Sequence, residues 1–253
     1  MKKIYTFNKT KHGSYSIITT ATPYLNINKK KLLKPKFVFR KSFELAEKKF
    51  RGKIKNKKIL DIGCANGEFI NFLNYKTKKK NIIEGIDIFE HFIKVAKKNF
   101  KDSNIKFLKK DIFRIKKKYD LIFCICTAQI FPDITPLLRK TIQILNKNGV
   151  VIFTGRFNEN KIDAIIKFKD SISNKWRCDF NIHSQKTINN FLKKYKDKIK
   201  WNFEKHYIDV QIERKKSNPD IYHYTYNDKM NNIRITSGLL QDHDNYFLTI
   251  KKK

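Results

Sequence analysis

Lys58-Ile59-Leu60-Asp61-Ile62-Gly63-Cys64-Ala65-Asn66-Gly67-Glu68-Phe69 joins an apolar strand to a helix through a tight turn of small residues. In open α/β sheets ligands bind beyond the carboxyl ends of the strands, where such a turn lets backbone amides approach closely. Gly63, Ala65 and Gly67 supply that closeness. About 20 residues further on, a second strand in EGIDIFEHF ends in Asp87, where a carboxylate accepts hydrogen bonds from both hydroxyls of a ribose. The pair of strands predicts a ligand that contains a nucleoside.

Outward from this turn, short apolar runs alternate with helical stretches: KKILDI, NIIEGIDI, IKFLKKD, YDLIFCIC and GVVIFTG. Phe89, Phe92, Ile93, Ala96 and Phe100 form one helical stripe, and PLLRKTIQILNKNG reads as a helix opening near Pro136 and stopping at Gly149. Such a series builds a parallel sheet with helices on both faces. Upstream, Phe39, Phe43, Ala46 and Phe50 share a helical spacing that predicts an amphipathic helix laid on the core. Residues 1–37, with Pro23, Pro35 and the run Lys29, Lys30, Lys31, read as an irregular basic arm or lid. Beyond Gly155, SQKTINNFLKKY predicts a helix capped by Ser184, followed by antiparallel strands in WNFEKHYIDVQI, NNIRITSGL and NYFLTI. The expected fold is α/β, doubly wound, with a mostly parallel sheet, an antiparallel C-terminal hairpin and a basic N-terminal arm. Residues 38–253 form the main domain, divided into a ligand-binding half, 58–155, and an acceptor half, 156–253.

The chain has 253 residues, 40% of them hydrophobic, so it can bury a large core and is not a disordered polymer. No apolar run reaches the ~18 residues of a membrane span, and MKKIYTFNKTKHGSYS lacks the apolar segment of a signal peptide. A cytoplasmic protein is expected. Cys64, Cys124, Cys126 and Cys178 form no CxxC pair and no metal-ligand spacing, which points to reduced thiols and no metal site. The formal net charge is +34, the ordinary signature of a polyanion partner. Yet 49 of the 57 basic residues are lysine, and the bidentate contacts of nucleic-acid recognition favour arginine. Solvated lysine from compositional bias is the competing reading. Residues 1–57 alone carry a net +15.

A dinucleotide-binding turn wants a small residue closing GxGxxG, and here that place holds Glu68. The run LDIGCANGEF instead resembles motif I of class I S-adenosylmethionine-dependent methyltransferases, with Ala65 in place of the middle glycine. The resemblance extends over residues 58–155 and implies a Rossmann-like fold and S-adenosyl-L-methionine as cofactor. It places Asp61 near the methionine amino group and the backbone of Gly63, Cys64, Ala65 and Gly67 along the methionine and ribose. Asp87 is then the ribose ligand, with Ile88 against the adenine. Asp111 in FLKKDIF matches the carboxylate that accepts from the adenine amino group, and Ile112 contributes a neighbouring amide. Cys124 and the residues after it, CTAQIF (126–131), occupy the end of the fourth strand, where cofactor meets acceptor.

Methyl transfer from a sulfonium is an in-line displacement, so positioning does most of the work and a base is needed only for a hydroxyl acceptor. His183, His223 and His243 are weak candidates for that base, each more readily explained as a structural or surface residue. The amino-directed adenine methyltransferases resemble one another in a [DN]PP[YFW] element, and this chain reads CTAQIFPDI there. The nucleophilic Cys beside proline of pyrimidine-carbon enzymes is also missing. Tyr222, Tyr224 and Tyr226 alternate as on a strand, either an acceptor wall or ordinary packing. The leading expectation is an O- or N-methyltransferase for a small molecule, loosely similar at its C-terminal end to enzymes of sugar metabolism. A methyltransferase for structured RNA and a non-catalytic cofactor-binding module are the alternatives.

Overall fold

The computed structural model describes residues 3–10, 13–20, 35–101, 103–169, 176–178, 180–207, 211–213, 224–236 and 242–253. The arm is not irregular throughout: β1 (Lys3–Thr10) and β2 (Gly13–Thr20) pair antiparallel, Lys3 opposite Thr20 and Thr10 opposite Gly13. The segments KIYTF and YSIITT are dense in β-branched and aromatic residues, which suit extended backbone.

The predicted amphipathic helix is α1 (Phe37–Lys49), which buries Phe39, Phe43, Leu45 and Ala46. Then come β3 (Lys58–Ile62), α2 (Glu68–Lys76), β4 (Ile82–Asp87), α3 (Glu90–Asn99), β5 (Lys106–Lys109) and β6 (Tyr119–Ile125). They are followed by α4 (Thr135–Ile144) and β7 (Leu145–Gly155). Helix α4 therefore stops five residues short of Gly149. Leu145 is extended and pairs with Tyr119, and the next ladder pair is Leu121 with Val150, so residues 146–149 bulge outward with Asn148 at φ 60°. Asp120 anchors this bulge, accepting from Asn146 Nδ2 and from the Lys58 amide, each at 2.8 Å.

Short strands β8 (Phe157–Asn158), β9 (Lys167–Lys169), β10 (Trp176–Cys178) and β11 (His183–Ser184) lead into α5 (Gln185–Leu192). Ser184 caps α5 as predicted, its hydroxyl accepting from the Lys186 amide. Strand β12 (Ile199–Lys205) follows, then the small antiparallel sheet β13 (Tyr224–Asn227), β14 (Ile233–Thr236) and β15 (Asp242–His243), and finally β16 (Tyr246–Lys252). The main sheet has seven strands in the order β12-β16-β7-β6-β3-β4-β5. Only β16 is antiparallel to its neighbours, and it lies between β12 and β7. The RIT strand joins the small sheet rather than this one.

Alternation along the strands sorts the core into two layers. Ile59, Leu121, Phe123 and Ile152 pack with α1 and α2 on one face. Leu60, Ile122, Cys124 and Phe153 pack with α4 and α5 on the other. The reversal of strand order between β3 and β6 opens a crevice at the carboxyl ends of these strands. Among the described residues, no helix is long and apolar enough to cross a membrane.

Candidate active site

The crevice is a cleft of about 290 Å³ whose lining includes Asp61, Gly63, Cys64, Ala65, Asp87, Ile88, Asp111 and Ile112. The topology thus gathers most of the predicted site from four separate loops. The turn after β3 reverses sharply, with Gly63 at φ 72°, Ala65 at 45° and Gly67 at 82°, all in the left-handed region. A Cβ on Gly63 would stand 2.3 Å from Thr127 Oγ1, so only glycine lets the two loops meet. Gly67 is the N-cap of α2 and packs under Phe107 and Phe100, supporting the turn from below instead of lining the cleft.

Asp87 ends β4 with both carboxylate oxygens engaged, Oδ2 accepting from the Ala65 amide at 3.0 Å and Oδ1 from the Phe89 amide at 2.9 Å. These bonds pull the motif I turn against the second strand. Burial raises the Asp87 carboxyl to about 6, and the amides of Phe89, Ala65 and Ile88 limit the rise. Asp61 is buried beside it and is held well above the usual carboxylate range, first by desolvation and then by the Asp87 charge. Burial likewise raises the Cys64 thiol, with smaller contributions from Asp61 and Asp87. Asp111 accepts from the Phe113 amide at 3.0 Å and so starts the single turn at Ile112–Arg114.

Besides Gly67, other predicted residues stand outside the cleft lining. Cys124 is fully buried in the layer beneath the sheet, because residues on β6 alternate and its side chain falls on the α4 and α5 side. The cleft is reached by Ile125, Cys126 and Thr127, with Cys126 in the left-handed region at φ 54° and its amide on Thr154 Oγ1 at 2.8 Å. His183 is also enclosed, at 2% exposure, outside the cleft lining, with Nε2 lacking a partner and its pKa lowered by desolvation. Its ring lies by the Ala128 and Phe131 backbone after β6. His223 and Tyr222 lie outside the described residues, and His243 belongs to β15 on the small sheet. Tyr224 is half-buried and Tyr226 exposed on β13.

On the other wall the CTAQIF run contributes Ile130 and Phe131 as expected, and the sequence reading missed only what α1 adds. Lys36 and Phe39 of the α1 entrance, together with Ile130 and Phe131 after β6, complete the lining. Lys36 Nζ meets Glu68 Oε2 at 3.0 Å, Phe37 stacks on His206 at 4.9 Å, and Lys41 pairs with Glu204 at 2.7 Å. The start of α1 therefore ties the motif I helix to the end of β12, a contact that helical periodicity alone does not disclose.

Residues 53–207 match the family described as Methyltransferase domain. The chain belongs to the class I S-adenosylmethionine-dependent methyltransferases. Within that family it is 34% identical over 98 residues to the malonyl-[acyl-carrier protein] O-methyltransferase of Acetivibrio thermocellus, covering 38% of this chain and 34% of that one. It is 26% identical over 129 residues to the arsenite methyltransferase of Rattus norvegicus, covering 45% of this chain and 35% of that one. The chain thus matches about a third of the length of these curated relatives. A solved S-adenosylmethionine-dependent methyltransferase from Clostridium acetobutylicum shares the fold at a TM-score of 0.54 and 13% identity, covering 91% of this chain and 94% of that one. The plantazolicin methyltransferase, solved with S-adenosylhomocysteine, does so at 0.53 and 13%, covering 86% and 84%.

The cleft fits the cofactor of this family, S-adenosylmethionine, chemically. A buried carboxylate at the end of β4 suits a ribose diol, the glycine turn leaves the backbone bare, and Asp61 offers a second carboxylate for an ammonium.

Proposed function

We propose that the enzyme methylates an oxygen or nitrogen of a small acceptor that carries an apolar body. The observation behind this reading is the division of the cleft. Its floor holds Asp61, Asp87 and Asp111, while the side facing α1 and the segment after β6 offers Val38, Phe39, Ile130 and Phe131. Apolar surface buried there contributes about 25 cal/mol per Å² to acceptor binding. The lysines at the opening are Lys36, already paired with Glu68, and Lys110, which favours a neutral or weakly charged acceptor over one dense in phosphate. The same division favours an acceptor with a hydrophobic or aromatic part over a free sugar.

S-adenosylmethionine, when bound, supplies an electrophilic methyl group. Asp87 holds the ribose, and in doing so keeps the Ala65 amide and the motif I turn in place. Asp61 positions the amino acid end. Thr127 holds the two loops together, its hydroxyl 3.2 Å from the carbonyls of Ile62 and Ile125. Phe39, Ile130 and Phe131 exclude water from the acceptor side and orient its reacting atom, the positioning that an in-line displacement requires.

The test is transfer of label from methyl-tritiated S-adenosylmethionine into two pools offered in parallel, a low-molecular-mass metabolite fraction and structured RNA. Label in extractable apolar metabolites is expected. Label confined to RNA would overturn the reading.

A further inference from the structure

The folded molecule sorts its charge along the strand axis. The carboxylates Glu68, Asp87, Glu90, Asp111 and Asp133 all follow the carboxyl ends of strands, around the cleft. At the opposite end of the sheet, the segments that enter the strands are RGKIKNKK (51–58), KTKKK (76–80) and KKK (116–118), and β16 finishes there as KKK (251–253). The antiparallel pairing of β16 with β7 and β12 brings its lysine end to the same side, beside Lys198 and Lys200. Nearly all of these lysines are exposed.

Compositional drift toward lysine would coat both ends of the sheet alike, and helix C-termini account for only part of the excess, Lys76 in the last turn of α2 being one case. The loop before β3 likewise follows α1, but the loop before β6 ends no α-helix and still carries three consecutive lysines. Carboxylates on this side are few. Glu84 is taken by Lys117 at 2.8 Å and by the Tyr119 hydroxyl, and Asp120 by Lys58 and Asn146, which leaves Asp197 and, near the end of α1, Glu47 among the described residues. The lysines crowd one another enough to matter: the Lys252 ammonium is lowered by desolvation and then by the charges of Lys118 and Lys198. Repulsion that the fold does not neutralise internally is relieved by an external anion.

We propose that this lysine-lined end of the sheet is a docking surface for the phosphate backbone of a nucleic acid, remote from the methyl-transfer cleft and independent of which acceptor the cleft takes. Its shape favours a linear polyanion over a bilayer. Seven strands about 4.8 Å apart span roughly 30 Å, the axial length of about nine nucleotides at 3.4 Å each, and the row is only one loop deep. The twist of the sheet turns successive loops out of a common plane, as a flat membrane would not require. Point-charge lysines in place of arginine forks predict binding to phosphates without sequence readout. Tyr75, 77% exposed beside Lys76, offers one ring for a base to stack on.

The test is fluorescence anisotropy of the full chain with a labelled 20-nucleotide poly(U) strand and with a 20-base-pair duplex, at 50 and 200 mM salt. Submillimolar binding to either is expected at the lower salt, lost steeply at the higher. The combined variant Lys79→Gln, Lys80→Gln, Lys116→Gln, Lys118→Gln should reduce the log–log salt slope by about 3 and weaken binding at 50 mM by more than about tenfold. Four glutamines at Lys94, Lys109, Lys161 and Lys205 should change it less than about threefold. Unchanged affinity for S-adenosylhomocysteine verifies that both variants fold. Absence of binding, equal effects of the two variants, or sedimentation with anionic phosphatidylserine vesicles in place of nucleic-acid binding would each overturn the proposal.

Discussion

Cofactor binding should weaken in acid because of Asp87. Its carboxyl sits at about 6 in the folded protein against 3.8 for an ordinary aspartate, since burial penalises the charge more than the amides of Phe89, Ala65 and Ile88 reward it. Ribose hydroxyls donate, so they need the ionised carboxylate. If the protonated form binds poorly, apparent affinity follows the ionised fraction, which is about nine-tenths at pH 7 and about one-tenth at pH 5. S-adenosylhomocysteine should therefore bind on the order of ten times more weakly at pH 5 than at pH 7, about 1.4 kcal/mol. Linkage gives stability the same titration with the opposite benefit. Because the folded value is raised, the neutral acid favours the fold below pH 3.8, and that contribution, about 3 kcal/mol, is lost as pH rises through about 6. Asp61, buried alongside, is raised first by its own burial and then by the Asp87 charge. The assay is calorimetric titration from pH 5 to 8 with wild type and Asp87→Asn. The variant should bind at least tenfold more weakly at pH 8 and show no step near 6. A wild-type affinity flat across that range, or a step that survives in Asp87→Asn, would refute the reasoning.

Other outcomes follow from particular contacts. Gly63→Ala places a methyl 2.3 Å from Thr127 Oγ1 at a φ of 72°, so it should cost at least about 2 kcal/mol in urea unfolding and abolish cofactor binding. Ala65→Gly relieves a left-handed alanine at φ 45° and should raise thermal stability by about 0.5–1 kcal/mol, or about 2 °C, read by calorimetry. Asn181→Ala removes a fully buried amide that donates from Nδ2 to the Gln129 carbonyl at 2.9 Å and accepts from the Ile166 amide at 2.9 Å. It should destabilise by about 2–4 kcal/mol and raise proteolytic susceptibility between residues 157 and 184, as mapped by mass spectrometry.

The cofactor half was legible because its physics is local. A strand that must end in a bare turn needs glycine or alanine at fixed places, and the period of the apolar residues separates strand from helix. Asp87 could be placed because it ends β4, and Asp111, two residues beyond β5, by its match to the family motif. Of Cys124 and the CTAQIF run that follows it, only the latter reaches the cleft: the strand continues to Ile125, and the left-handed Cys126 turns Thr127 onto Gly63. The stop of α4 was misjudged because Gly149 looked like a helix terminator, whereas pairing of Leu145 with Tyr119 captures the chain earlier. That is a non-local preference, as is the strap that Lys36, Phe37 and Lys41 form across the cleft. His183, read in the sequence as more readily structural than catalytic, is buried outside the cleft lining.

The central claim is that the cleft between β3, β4 and β6 holds S-adenosylmethionine. Isothermal titration of the purified chain with S-adenosylhomocysteine at pH 7.5 tests it most directly. One site per chain with micromolar affinity is expected, lost in Gly63→Ala and weakened at least tenfold in Asp87→Asn. No heat of binding to a folded wild-type protein, or binding that both substitutions leave intact, would contradict it.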